Sequence, residues 1–167
     1  MFALISTLPA LAGPAPSGGE ALGRSQGGFS TKLHLRAEGN GKPITAVLTG
    51  GERHEQIALE ALLDQGAIRR PGRGRPRLRP RRLAGDKGYS SPTARGRLRQ
   101  RNIRPVIPTK ADQRRQPAFD GAAYRERNKV ERLINLLKQS RRIATRYEKR
   151  AANYLAMLTL GMIRLWL

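Results

Sequence analysis

Cysteine is absent from the 167 residues. A disulfide scaffold, a thiol nucleophile and a Cys-based zinc site are therefore excluded. The two histidines, His34 and His54, stand alone with no paired spacing, so they read as structural or solvent-facing rather than as metal ligands. Aromatic residues make up only 5% of the chain. No apolar run approaches the ~20 residues that cross a bilayer. The apolar C-terminus, 153–167, carries Arg164 and reads as a core helix, with Trp166 as one of its core residues. The first 16 residues, MFALISTLPALAGPAP, mimic the hydrophobic region of a secretory signal but lack the basic residues that precede one. The expected compartment is therefore the cytoplasm, with no membrane partner.

Acidic residues are also scarce. There are 12 Asp plus Glu against 33 Lys plus Arg, a formal charge of +21. Nucleic acid is the default partner for such a balance. An anionic membrane surface fits less well, because neither terminal apolar segment is a basic amphipathic helix. Hydrophobic residues at 38% are enough to bury a core, so wholesale disorder is not expected.

Residues 17–28 are Gly- and Ser-rich and read as a loop. FSTKLHLR (29–36) alternates Phe29, Thr31, Leu33 and Leu35 with Ser30, Lys32, His34 and Arg36, the period of a half-buried strand. The turn EGNGKP (38–43) and the strand ITAVLT (44–49) complete a hairpin. A helix is expected over 52–65, ended by Gly66. The basic loop, 67–82, holds eight Arg, three Pro and two Gly within 69–82. Its Arg73-Gly74-Arg75-Pro76 core resembles a segment that lays Arg into a narrow minor groove. The simpler reading is a solvated loop in which Arg73 and Arg75 touch DNA phosphate. LAGDKGY (83–89) reads as a short strand running into a turn. Ser91 caps a helix through about Gln100, IRPVIP (103–108) is a strand, and a long helix runs over 122–149. The apolar helix 151–166 closes the chain. Strands alternating with helices after a hairpin predict an α/β sheet covered by helices.

At ~100° per residue, Tyr124, Arg127, Glu131 and Lys138 share a stripe about 60° wide on the long helix, bordering the apolar face of Val130, Leu133, Ile134 and Leu137. A carboxylate beside cations suits a divalent ion and a phosphate. Taken alone, Arg127 and Glu131 read first as an i,i+4 surface ion pair, and Gly85-Asp86-Lys87-Gly88 reads first as a turn.

The spacing Tyr124-x2-Arg127-x3-Glu131-x6-Lys138 resembles, gap for gap, the signature around the last catalytic Glu in DDE transposases of bacterial insertion sequences (the IS4-like transposase domain, insertion-sequence-five type group). GRSQGGFSTKLHLRAEGNGKP, RRLAGDKGYSS, IRPVIPTK and YRERNKVERLINLLKQSRRIATRYEKRAANYLAMLTL are similar to the same group, so the resemblance covers about residues 19–167. It implies an RNase H-like mixed sheet flanked by helices, over 19–150, followed by the core helix 151–167. Carboxylates of that fold hold two Mg²⁺ or Mn²⁺ ions, which activate water or a DNA 3′-hydroxyl for in-line attack on a phosphodiester. Asp86 matches the second acid and Glu131 the third, as catalytic and metal-binding residues. Tyr124, Arg127 and Lys138 match the DNA-contacting positions. The partners implied are transposon ends and target DNA, with a homodimer as the candidate assembly.

The family's first Asp, on a central strand ahead of the Gly-Ser loop, has no counterpart: no Asp precedes Asp64, and only Glu20 lies upstream of FSTKLHLR. Residues 1–18 fall outside the resemblance and read as a replaced start. The first catalytic strand is expected to be missing, or substituted by FALISTL without its carboxylate. A truncated transposase, inactive alone and holding metal poorly, is the expectation. The alternative is a non-catalytic basic DNA- or RNA-binding protein.

Overall fold

The computed structural model describes residues 2–12, 20–25, 28–69, 72–114 and 116–167. The apolar run at the start forms strand β1 (Phe2–Ala12), and it is the central strand of the sheet. The Gly-Ser segment contributes β2 (Gly23–Ser25), and the hairpin is β3 (Gly28–Glu38) with β4 (Pro43–Gly50). β1 runs antiparallel to β3 from Ala3↔Glu38 to Leu11↔Ser30. On its other edge β1 runs parallel to β5 (Arg82–Ala84), with Leu4 opposite Ala84, and β5 runs parallel to β6 (Arg104–Val106). The result is a mixed sheet with an antiparallel side, β4-β3-β1, and a parallel side, β1-β5-β6.

Alternation along β1 sends its side chains into two cores. Leu4 joins Leu33, Leu35 and Ala84 under α4 (Asn128–Lys138) and α6 (Ala151–Arg164), where Val130, Leu133, Ile134, Leu137 and Leu158 are buried. Ala3 and Ile5 join Leu83 on the opposite face, under α1 (Ile57–Asp64) and α2 (Pro92–Gln100). Gly66 ends α1 in the left-handed region at φ +75°, where a Cβ would stand 2.3 Å from Ile44 Cγ2, so both conformation and space call for glycine. Ser91 caps α2 as expected, its Oγ accepting from the Ala94 N–H at 3.0 Å.

Three expectations are corrected. β3 is buried on both faces: His34 and Arg36 are as inaccessible as Leu33 and Leu35, because α1 covers Arg36 and Tyr89 covers His34 on the face that the alternation gave to water. The helix expected over 122–149 is divided into α3 (Gly121–Arg125), α4 and α5 (Arg141–Ala144). At Glu126–Arg127 the chain tightens into i→i+3 bonds, Lys129 N–H to Glu126 O and Val130 N–H to Arg127 O, so the helical path continues through a 3₁₀-like turn. α4 closes at Lys138, α5 resumes after the extended Ser140, and the path ends at Ala144 because Thr145–Arg146 (β7) extends to pair with Leu11 and Ala12 of β1. Trp166 is not a core residue: it is half exposed and donates its indole N–H to Pro43 O at 2.7 Å.

Candidate active site

The site forms where the parallel strands end. The β1/β5 pairing ends at Leu4↔Ala84; Ser6 and Asp86 each lie two residues beyond it, Ser6 on the face that Leu4 shares with α4. The Ser6 hydroxyl donates to Glu131 Oε1 at 3.0 Å. Glu131 lies in the first turn of α4, where the helix dipole favours a carboxylate. The same oxygen accepts from Arg127 Nη1 at 2.5 Å, and that nitrogen also lies 3.4 Å from Ser6 Oγ. The Arg127 guanidinium sits over the Tyr124 ring, 5.6 Å from its centroid, and Tyr124 packs at 5.5 Å on Phe119. Tyr124, Arg127 and Glu131 therefore converge, as the helical stripe predicts. Lys138 does not join them; it is exposed at the far end of α4, about 10 Å further along the axis at 1.5 Å per residue.

Asp86 follows β5 and caps the 3₁₀ turn Lys87–Tyr89, its Oδ1 accepting from the Gly88 N–H at 2.9 Å. Burial raises the Asp86 carboxyl above the ordinary range, opposed by the Gly88 bond and the Arg127 charge and reinforced by the charges of Glu55 and Glu131. Asp86, Glu131 and Arg127 thus act on one another electrostatically. Glu55 borders this cluster, ion-paired to Lys32 at 3.0 Å.

Behind the turn lies a network that the sequence did not disclose. Tyr89 Oη contacts Thr7 Oγ1 at 3.0 Å and His34 Nδ1 at 3.1 Å, and His34 Nε2 contacts Thr49 Oγ1 at 2.8 Å. One signal was present: Ser6-Thr7 places two hydroxyls inside an otherwise apolar run, one facing each side of the strand. Arg73 and Arg75 are exposed in the basic loop, whose base is closed by Ile68 and Arg77 exchanging backbone hydrogen bonds at 2.9 and 2.7 Å. That loop feeds the N-terminal end of β5, whereas Asp86 follows its C-terminal end.

Among the described residues no group of three or more His, Asp or Glu side chains could hold a metal ion. The donor set at the strand ends is two carboxylates and a serine hydroxyl, and Glu131 Oε1 is already engaged by Arg127 and Ser6. Two divalent ions draw on shared carboxylates. These residues do not fit such a pair.

The mixed sheet thus carries Asp86 and Glu131 where its parallel strands end, with Arg127 beside Glu131. Residues 15–166 match the model of the transposase DDE domain, and the chain belongs to that family. It is 36% identical over 131 residues to a Burkholderia cepacia protein assigned as a transposase for insertion sequence element IS402. That match takes in 78% of this chain and 60% of the relative's length.

Proposed function

We propose that the chain is the DNA-handling core of an insertion-sequence transposase on an RNase H-like sheet, and that alone it cuts DNA very weakly or not at all. The strand order β4-β3-β1-β5-β6, a meander followed by parallel strands, supports the fold. Its substrates are transposon ends and target DNA, its compartment the bacterial cytoplasm, and a homodimer its assembly. No helix among the described residues is long and apolar enough to cross a membrane.

The observation that carries this reading is the gathering of Asp86, Glu131 and Arg127 at the ends of β1 and β5. Arg127, stacked on Tyr124, is held where it can grip a phosphate beside the carboxylates. Lys138 extends that grip along α4, and Arg73 and Arg75 add phosphate contacts from the basic loop. The reaction in this family relies on divalent ions, and a pair of carboxylates is too small a donor set for them, which supports the expectation of little cleavage.

The test is strand cleavage of terminal-repeat duplexes in Mg²⁺ or Mn²⁺, comparing the chain with Glu131→Gln. Salt-sensitive binding, with cleavage no higher than that of the variant, is expected. Measurable cleavage that Glu131→Gln abolishes would overturn the inactive assignment.

A further inference from the structure

Ser6 enters the Asp86–Glu131 cluster from the central strand with no charge to contribute. It lies two residues past Leu4 as Asp86 lies two past Ala84, the last pair of the β1/β5 ladder, and its hydroxyl stands 3.0 Å from Glu131 Oε1. It is 3% exposed, so whatever stands there is enclosed against Glu131 and Arg127. An Asp side chain extends one atom further from the same Cβ, which would bring a third carboxylate beside Glu131, within the electrostatic reach that Glu131 already has on Asp86. With Ser6 present, the Arg127 guanidinium and the hydroxyl together neutralise and solvate Glu131, so the excess is only the single charge that Asp86 can carry. Three carboxylates against one guanidinium would leave an excess of about two charges, and a divalent ion is the compact way to balance it.

We propose that Ser6 occupies the place of a missing carboxylate, and that the single replacement Ser6→Asp converts this cluster into a divalent-cation site. The strand, its register and the two remaining acids are otherwise in place, so the loss lies in one side chain and not in the sheet. The inference rests on Asp86 and Glu131 being the site. Its test uses no DNA, however, so a failure to bind or cleave DNA would not be mistaken for its own failure.

The experiment titrates Mn²⁺ into the full chain and reads the free ion by electron paramagnetic resonance. Four proteins are compared: the unaltered chain, Ser6→Asp, Ser6→Asn as an uncharged match in size, and Ser6→Asp combined with Glu131→Gln. Ser6→Asp is expected to bind Mn²⁺ at least about tenfold tighter than the unaltered chain or Ser6→Asn, an effect as large as that of lost supporting ligands at metal sites. The double variant is expected to fall back to the unaltered level. Thermal denaturation supplies a second measurement, because an ion that binds only the folded form raises the melting temperature. Mn²⁺ should raise it for Ser6→Asp alone, and recovery of a poorly folded Ser6→Asp by Mn²⁺ in circular dichroism also supports the proposal. Three results overturn it: the unaltered chain binding Mn²⁺ as tightly as Ser6→Asp, Ser6→Asp binding no better than Ser6→Asn, or Ser6→Asp staying unfolded at every Mn²⁺ concentration while Ser6→Asn folds.

Discussion

His34 is fully enclosed between β1, β4 and the turn that carries Asp86, with Thr7, Tyr89 and Thr49 on its ring nitrogens. Burial lowers its pKa from 6.5 to about 4; Glu55 pulls it up and Lys32 pushes it further down. The unfolded chain therefore binds this proton at a higher pH than the folded one, and folding loses stability as pH falls from about 6.5 to about 4, then levels off. At ~1.4 kcal/mol for each pH unit of that window, the whole of it is worth about 3 kcal/mol. Asp86, held above its ordinary range, works in the opposite sense, losing stability as pH rises through its titration. Glu55, on which burial acts upward but its own backbone bond and Lys32 win, is held low and loses stability on acidification. Comparison with His34→Gln cancels both. Urea unfolding from pH 8 to pH 4 should show the unaltered chain falling relative to His34→Gln across the His34 window; parallel curves would mean that the imidazole charges freely in the folded state.

Arg36 shows what an element can hide. Its Nη1 donates to Leu62 O at 2.8 Å and Gln65 O at 3.0 Å, and its Nη2 to Leu78 O at 2.6 Å. One side chain of β3 thus closes the C-terminal end of α1 and pins the base of the basic loop. Arg36→Met keeps an apolar stem but strands these carbonyls, which should cost about 2–4 kcal/mol. Urea midpoints would report that loss, and trypsin should cut within 72–81 faster than in the unaltered chain; unchanged cutting would mean that Arg36 does not hold the loop. The same residue marks a boundary of what the sequence discloses. Local patterns locate the hairpin, the Ser91 cap and the apolar face of α4, since each depends on neighbours a few residues away. Alternation in FSTKLHLR could not reveal that α1 covers the second face, because the Arg36 Nη1 and Nη2 groups bond carbonyls 26 to 42 residues distant. Arg146 is similar: it is buried on Thr31 and the carbonyls of Glu20, Glu148 and Lys149, partners that end the helical path and that no helical period records. Of the site, spacing placed Tyr124, Arg127 and Glu131 on one helical stripe, while only the family resemblance singled out Glu131 and Asp86, whose glycine turn alone reads as a turn. Ser6, Thr7, Tyr89 and His34 meet only once β1 is threaded through the middle of the sheet.

Over the whole molecule the +21 charge is unevenly deployed. Arg36, Arg95 and Arg146 are buried and bonded to the chain's own oxygens, although Arg36 Nε is left without a partner. Arg101 is taken up by Glu60 and Asp64, Arg82 by Asp120, Lys129 by Glu126 and Arg127 by Glu131. The basic loop is different: no acid occurs between Asp64 and Asp86, and Arg73 and Arg75 are exposed. This is where the field is strongest and least compensated, so it is where DNA phosphate should be engaged first. If both arginines contact phosphate, replacing them by Ala should lower the slope of log K against log salt by about 1.8, at ~0.9 per contact on duplex DNA. Phosphate contacts carry no sequence information, so the affinity lost should be equal on A·T-rich and G·C-rich duplexes. A loss confined to A·T-rich DNA would instead place Arg73 and Arg75 in a narrow minor groove, where the electrostatic attraction is sequence-dependent. An unchanged slope on both would mean that the loop lies off the DNA, leaving the grip to Arg127 and Lys138 on α4. Fluorescence anisotropy with two duplexes across a salt series separates all three outcomes, because the phosphate term is read from the slope and the groove term from the difference between sequences.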